Sequence, residues 1–355
     1  MKSNNVEFII MKMKVPKILT GMILVTILST GISCSSSTVA TTPCPADKDI
    51  LSILTDTDGT QYKIATDGKV YKVIGSSCEY HSTYFDPSYE SKNYVHRGDS
   101  VLIRTSEGTL FSTRNLFTET FERYSSIPSM FILSMADTNN YWNTMTLQSP
   151  LAPTVRDYVE LRSCIFDGTC SFKDNRIDIT DDPENPSNRV LKFTAVPPSA
   201  TMVTSKCSIE STTTYFTKGK DLWYDARYYF TDNFPYSIAD FESQWYDQSP
   251  GPRIVFSDGS LAVENKFGNK IKFRQASPVQ VPKGKWVTIK IHFHFDEVNG
   301  RVELWQDGAK VLDVEGPTLP LYNAVQTNCE IGISATSDAC VLYVDDVRLS
   351  ETKLE

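Results

Sequence analysis

An alternation of apolar and polar residues, repeated from about residue 116 to the C-terminal end, constrains this fold more than any other feature. Over residues 287–295 every second side chain is Val, Ile or Phe, and the side chains between them are Thr, Lys and His. Successive residues of a β-strand point to opposite faces, so this pattern is typical of a strand with one buried face. Similar runs recur between Gly, Pro, Asn and Asp, and no helix of three turns is predicted. The sequence therefore predicts an all-β fold, an antiparallel β-sandwich of the jelly-roll type, over residues 117–350.

The residues before this region divide into a short tether and a small module. Residues 35–47 are rich in Ser, Thr and Pro, which predicts a flexible tether. Residues 48–115 contain short strand-like runs, two of them joined by Asp67-Gly68, a dipeptide that favours a tight hairpin turn. We therefore predict a small β-rich module at 48–115, ahead of the sandwich.

The N-terminal residues have the composition of an export signal. Lysines precede an apolar run at 18–32, which is short for a membrane span but suits the central part of a signal peptide. Small residues then lead into Cys34. This arrangement resembles a bacterial lipoprotein processing site, although Gly31 stands where Leu is preferred. We therefore predict a signal peptide at 1–33, acylation of Cys34, and a lipid-anchored position on the bacterial outer membrane or cell surface. Simple secretion and a retained anchor helix are the alternatives.

Charge and cysteine content narrow the partners and the compartment. The net charge is −8, with both signs interspersed, so the sequence lacks the basic surface that nucleic acid requires. We predict no nucleic-acid partner, and membrane contact through the lipid anchor only. Eight cysteines fit an oxidising compartment. Acylation of Cys34 would leave an odd number, and two pairings are plausible from their spacing, Cys164 with Cys170 and Cys329 with Cys340.

Four stretches of the sequence carry a family resemblance. They are Phe-Glu at 121–122, Gln-Trp-Tyr at 244–246 with Pro-Gly-Pro-Arg-Ile at 250–254, Gly-Lys-Trp-Val at 284–287 with Glu-Leu-Trp-Gln-Asp-Gly at 303–308, and Gly-Ile at 332–333 with Tyr-Val-Asp-Asp-Val at 343–347. In this order and spacing they resemble the concanavalin A-like jelly rolls, and in particular the heparin lyase I-like polysaccharide lyases. The resemblance implies a polysaccharide partner, a uronate-containing one if the chain is an active lyase.

The resemblance also implies a set of catalytic residues. β-Elimination requires a base, a group that neutralises the carboxylate beside the abstracted proton, and an acid for the leaving oxygen. Tyr246 or His292 would be the base, and Arg253 or Lys206 would face the carboxylate. Gln244 would complete the site.

The chain departs from the family pattern at two strands. Tyr246 stands where the family has a histidine after Gln-aromatic, and the late Lys-x-Gly-x-Tyr strand has Glu330 and Ser334 in place of Lys and Tyr. An acidic residue in place of that lysine would repel a uronate.

Sugar contacts are expected from aromatic and polar side chains of the same strands, because aromatic rings stack on sugar rings and polar groups bond to hydroxyls. The candidates are Trp245, Tyr246, Arg227, Glu210 and His294. The alternative for each polar residue is the ordinary solvated face of a sandwich strand.

A structural calcium ion is the one cofactor that the resemblance implies. Glu122 lies near the first strand of the sandwich, and Asp345 and Asp346 lie in its last strand. Carboxylate oxygens are the ligands that calcium prefers. A solvated set of acids is the alternative.

The function predicted from these features is polysaccharide binding by an exported envelope lipoprotein, related to lyases but with altered catalytic residues. Two alternatives stay open. One is an active lyase that cleaves an acidic, uronate-containing glycan, and the other is a structural or protein-interaction protein of the envelope.

Overall fold

A computed structural model describes most of the chain. The described residues are 42–46, 50–55, 61–65, 69–83, 92–97, 100–105, 110–112, 115–131, 140–243, 251–321 and 324–355. The predicted signal peptide and Cys34 lie outside these ranges, and so do Gln244, Trp245 and Tyr246. Within the ranges, no helix combines the length and the apolar character that a membrane crossing would need.

Strands dominate the described part of the chain. They are β1 (Thr42–Pro43), β2 (Ile50–Thr55), β3 (Gln61–Ala65), β4 (Lys69–Ile74), β5 (Ser77–Thr83), β6 (Lys92–Arg97), β7 (Ser100–Thr105), β8 (Leu110–Ser112), β9 (Phe117–Glu119), β10 (Thr144–Thr146), β11 (Arg176–Asp181), β12 (Arg189–Ala195), β13 (Ser205–Ser211), β14 (Asp221–Phe230), β15 (Ser237–Asp240), β16 (Pro252–Ser257), β17 (Ser260–Asn265), β18 (Lys272–Arg274), β19 (Trp286–His294), β20 (Arg301–Gln306), β21 (Ala309–Glu315), β22 (Cys329–Thr336) and β23 (Cys340–Ser350). A 3₁₀ turn at Pro128–Met130 and one α-helix, α1 (Val155–Phe166), complete the elements described.

Two large antiparallel sheets form the sandwich, as the alternation predicts. The front sheet has the strand order β10-β13-β22-β15-β16-β17-β18. The back sheet has the order β11-β12-β23-β14-β19-β20-β21, with β9 paired to β23. Strands distant in sequence, such as β13 and β22, lie side by side, so the fold depends on long-range pairing. The all-β sandwich prediction is confirmed.

The core lies between the inner faces of the two sheets. Phe241, which follows β15 of the front sheet, packs edge-on against Tyr224 and Phe293 of the back sheet, at ring-centre distances of 5.4 and 5.2 Å. The inward-facing residues of β19, Val287, Ile289, Ile291 and Phe293, are fully buried, whereas Thr288 on its other face is exposed. Burial of each large apolar side chain contributes about 1.5–3 kcal/mol, so this layer holds the sheets together.

Helix α1 was not predicted, because its apolar stripe is narrow. Only Leu161 and Ile165 are buried along it. The local signal was a capping box: the Thr154 side chain accepts from the backbone N–H of Asp157, whose carboxylate accepts from the backbone N–H of Thr154. Such a box satisfies two of the unpaired N–H groups at the start of a helix.

The remaining strands form two small sheets, one of order β1-β5-β4-β3-β2 and one of order β6-β7-β8. All of these strands except β1 fall within residues 48–115, which were predicted to be β-rich; β1 lies in the segment predicted to be a tether. A disulfide between Cys44 and Cys78 links β5 to the residues that follow β1.

One of the two suggested disulfides is present in the sandwich. Cys164 and Cys170 are bonded, but Cys329 and Cys340 are free and buried. Cys329 belongs to the front sheet and Cys340 to the back sheet, so the two do not bracket a hairpin as the spacing suggested. Burial raises the pKa of the Cys340 thiol to about 12, which keeps it protonated and unreactive.

Candidate functional site

One cross-strand row of polar side chains spans the front sheet. Each member stands directly opposite the next in the antiparallel register, so all of them share one face. Their apolar neighbours along the strands, such as Ile209 and Ile331, are buried in the core, so this face is the outer one. We call it the front-sheet row, and strand by strand it consists of Thr144, Glu210, Glu330, Asp240, Arg253, Glu264 and Lys272.

Three acidic residues, Glu210, Glu330 and Asp240, lie side by side in this row. Like charges directly opposite each other destabilise a sheet, so this arrangement costs stability. Glu330 is only 4% exposed, and burial together with the neighbouring Asp240 raises its pKa to about 7. The Ser208 hydroxyl donates to Glu330 Oε1 at 2.5 Å. Glu330 can therefore gain or lose a proton near neutral pH, as a general acid or base must.

The pKa of Asp240 is shifted in the opposite direction, although Asp240 is as buried as Glu330. Burial alone would raise its pKa, but the charges of Lys266 and Arg253 hold the pKa of Asp240 below its usual value. Lys266 Nζ lies 2.8 Å from Asp240 Oδ2, and the Ser334 hydroxyl donates to Asp240 Oδ1 at 2.9 Å. The row thus places a carboxyl group with a lowered pKa beside one with a raised pKa, the arrangement by which paired acids divide proton-transfer roles.

The described residues that could hold a metal ion also lie in this part of the front sheet. Asp240, Glu242 and Glu330 each offer an oxygen, and the three oxygens lie within 4.8 Å of one another. Lys266 forms ion pairs with both Asp240 and Glu242, so a positive charge already stands at the cluster. This acidic cluster is not the set of residues predicted for calcium.

Lys206 and Glu210 share one face of β13, as their spacing predicts. Burial would lower the pKa of Lys206, but the charges of Glu330, Asp240 and Glu210 outweigh it and raise that pKa. Lys206 is therefore a firmly charged cation among three carboxyl groups. Glu210 accepts from the Thr146 hydroxyl at 2.8 Å, which fixes its orientation.

The far end of the row combines cations with an aromatic ring. Arg253 donates to Glu264 Oε1 through Nη2 and Nε, at 2.5 and 3.1 Å. The Arg253 guanidinium and the Lys272 ammonium lie 4.9 and 5.0 Å from the centre of the Tyr236 ring, which is 38% exposed. An exposed ring beside cations is a surface that suits a sugar carrying a carboxylate.

Sequence comparison decides the family. The polysaccharide lyase family matches residues 136–348, more than half of the chain. The chain belongs to the polysaccharide lyase family. The matched residues include every strand of the front-sheet row. No curated protein matches this chain in sequence.

Solved structures that match part of this chain share little sequence with it. An endo-β-1,4-glucuronan lyase from the fungus Trichoderma reesei is 13% identical, with 51% of this chain and 88% of that chain covered and a TM-score of 0.42. A cellulose-induced protein is 14% identical over 51% of this chain and 88% of that chain, with a TM-score of 0.41. An alginate lyase from a Chlorella virus is 11% identical over 50% of this chain and 90% of that chain, with a TM-score of 0.37.

The structure of this lyase-family chain separates the predicted catalytic residues into two groups. Lys206 and Arg253 face outward from the front sheet, and His292 faces outward from the back sheet. The two faces lie on opposite sides of the sandwich, so His292 cannot act on a substrate held by Lys206 or Arg253. His292 instead bonds to Glu303 Oε2 through Nδ1 at 2.7 Å and to Asp221 Oδ1 through Nε2 at 2.9 Å.

The sugar contacts predicted at His294 and Arg227 also lie on the back sheet, away from Glu210. His294 Nδ1 lies 3.0 Å from Asp221 Oδ1. Arg227 contacts Asp346 at 3.1 Å. The structure therefore does not bring these two residues together with the front-sheet row.

Of the acids predicted to bind calcium, Glu122 lies just after β9, and Asp345 and Asp346 lie in the middle of β23. Asp345 is buried, and burial raises its pKa to about 6. Its Oδ2 accepts from Asn188 at 2.9 Å, while Oδ1 is buried with no hydrogen-bond partner among the described residues. Asp346 is 46% exposed at its side chain, and Glu122 is exposed on the segment after β9. An orphaned carboxylate oxygen fits a hard cation.

Several residues of the row were missed from the sequence. Glu330 was singled out only as a departure from the family, and Asp240, Glu264 and Lys272 were not singled out at all. The available signal was weak, because each is one polar residue at an alternate strand position. Their grouping depends on the register between strands far apart in sequence.

Proposed function

We propose that this chain is a polysaccharide lyase with an altered catalytic set, which binds a uronate-containing polysaccharide across the front-sheet row and cleaves it by β-elimination. The observation that carries the proposal is the raised pKa of Glu330, to about 7, in the middle of that row. A base works best when its pKa lies near the working pH. A buried acid flanked by two others has no stabilising role, so a functional one accounts for it better.

The residues of the row supply the groups that elimination requires. Ionised Glu330 would remove the proton beside the uronate carboxylate, and the carbon–oxygen bond to the leaving sugar breaks as the double bond forms. Lys206 or Arg253 would neutralise the uronate carboxylate, as charge develops on it in the transition state. The leaving oxygen takes up a proton, and we assign Tyr246 as its donor; the sequence offered Tyr246 as a base, and it lies outside the described residues.

Binding without cleavage is the second candidate function, and the ion pairs of the row favour it. Lys266, Arg253 and Lys272 each contact a carboxylate of the same face already. A cation that is paired in this way stabilises a developing negative charge less than a free one does. Such a surface would still bind sugar hydroxyls through donors and acceptors of both signs.

The Glu330→Gln variant separates the two functions. It removes the titrating proton but keeps the shape and the hydrogen bond from Ser208. We expect cleavage to fall by a factor of about 10²–10⁴, the usual contribution of a general base, while binding to the polysaccharide persists. Glu315→Gln, at an exposed position of β21, is the matched control and should leave cleavage unchanged. Equal cleavage by both variants would remove Glu330 from the mechanism.

We also propose three further features that the sequence suggested: membership of the heparin lyase I-like group, export with a lipid anchor, and a structural calcium ion. The chain would be a heparin lyase I-like member, exported and anchored through acylated Cys34, and the Cys34→Ala variant should leave the membrane fraction. A structural calcium would bind at Asp345 and Asp346, with Glu122 as the predicted third ligand. The orphaned Oδ1 of Asp345 supports this site, although its three carboxylates do not lie within ligand distance of one another as those of Asp240, Glu242 and Glu330 do. Calcium should then raise the melting temperature, and Asp345→Asn should abolish that rise.

A further inference from the structure

A cavity of about 550 Å³ opens on the outer face of the back sheet. Its volume falls within the range of sites that bind small ligands. The residues that line it include Trp223, Trp305, Lys290, Arg348, Asp307 and Thr288. We call it the back-sheet cavity. It lies on the opposite side of the sandwich from the front-sheet row, and the proposed cleavage does not use it.

The tryptophan rings of the cavity are held in fixed orientations. The Trp223 and Trp305 ring centres are 5.7 Å apart, with their planes inclined by 32°. Trp223 also stacks on His292 at 4.1 Å and 11°, and His292 is itself bonded to Glu303 and Asp221. Trp223 is buried and packs beside the half-buried Trp305, so the Trp305 indole is fixed before a ligand arrives. It therefore loses little entropy on binding, which favours stacking on a sugar ring.

The polar groups of the cavity carry both signs of charge. Arg348 forms two bonds with Asp225, at 2.8 and 2.6 Å, and Lys290 Nζ donates to the carbonyl of Leu354 at 2.8 Å. Asp307 stands at the rim, in the turn between β20 and β21. Sugar hydroxyls both donate and accept, so they match such a mixture, whereas a lipid or an apolar protein surface would remove these charged groups from water without new hydrogen bonds.

We propose that the back-sheet cavity is a second, non-catalytic saccharide-binding site, which takes a pyranose segment of a neutral or weakly charged polysaccharide. The nearly balanced charges of its lining exclude a densely sulfated chain as the preferred ligand. The site acts by holding polysaccharide on the protein, and this role does not depend on whether the front-sheet row cleaves. His292, which the sequence offered as a base, thus acts here by positioning Trp223.

Affinity electrophoresis of the purified protein in gels that contain xylan, mannan or a neutral β-glucan tests the site. The parent protein should be retarded in at least one gel, and Trp305→Ala should weaken that binding about tenfold, as expected for the loss of one stacking ring. Thr288→Arg fills the cavity from an exposed position without removing any packed side chain and should weaken binding similarly. Trp286→Ala, on the same face of β19 as Thr288, is the matched control and should bind as the parent does.

Equal retardation of the parent, Trp305→Ala and Thr288→Arg in every gel would overturn the proposal. An unretarded parent protein would overturn it as well. These outcomes are independent of the cleavage assay, because neither substitution touches the front-sheet row.

Discussion

The raised pKa of Glu330, on which the proposed cleavage depends, also makes the stability of the fold depend on pH. This pKa is raised to about 7 from an ordinary value of 4.5, so the folded protein prefers the protonated form. The stability associated with that preference is fully present below about pH 4.5 and is lost as the pH rises through 7. Burial raises this pKa most, and the charge of Asp240 raises it further. The charge of Lys206 lowers it.

Glu330→Gln should therefore stabilise the fold at alkaline pH. Glutamine has no charge to bury, so the free energy of unfolding at pH 8 should exceed that of the parent by about 3 kcal/mol, with little difference at pH 4. Urea denaturation at the two pH values measures this. An equal or lower stability of the variant at pH 8 would show that Glu330 titrates normally.

Lys266 gives a second prediction at the residue scale. It pairs with Asp240 and Glu242, and Asp240 is almost completely buried. Lys266→Met keeps the stem but leaves a buried carboxylate without its partner, which should cost about 3–5 kcal/mol in unfolding free energy. Lys285→Met, at an exposed position, should change stability by less than about 0.5 kcal/mol. Similar losses for the two variants would contradict the importance of this ion pair.

At the scale of elements, alternation along the chain was sufficient to predict the strands but not which strands pair. The apolar face of β19 and the shared face of Lys206 and Glu210 follow from a period of two residues, which is a local property. The front-sheet row depends on the register between strands such as β13 and β22, and a local pattern holds no information about a partner over a hundred residues away. For the same reason, candidates on both outer faces were assigned to one site.

The junction between β15 and β16 gives a prediction about an element. A Cβ added at Gly251 would overlap the carbonyl oxygen of Phe241 and lie 2.7 Å from the Cα of Glu242. Backbone atoms cannot move aside as a flexible side chain can, so Gly251→Ala should lower the unfolding free energy by about 1–3 kcal/mol. Gly75→Ala has open space around it and should cost only the strain of its positive φ, about 1 kcal/mol. Thermal denaturation compares the two, and an equal loss would show that β15 and β16 can separate.

For the molecule as a whole, the two outer faces of the sandwich carry different kinds of side chain. The front sheet presents buried, titrating carboxyl groups, and the back sheet presents fixed aromatic rings. Packed sheets lie about 10 Å apart, so the two faces share no direct contact.

Substitutions on the two faces should therefore act independently. The changes in unfolding free energy caused by Glu330→Gln and Trp305→Ala should add in the double variant within about 0.5 kcal/mol. Urea denaturation of the four proteins in the cycle measures this. A larger coupling energy would mean that the core transmits strain from one face to the other.

The central claim is that the front-sheet row cleaves a uronate polysaccharide with Glu330 as the base. The direct measurement is the ultraviolet absorbance of the unsaturated product, followed at pH 6 to 8 with a panel of uronate polysaccharides. We predict a rise in absorbance on at least one substrate, a rate that increases as the pH passes through about 7, and its loss in the Glu330→Gln variant. A flat trace on every substrate, or cleavage that persists in the variant, would contradict the account.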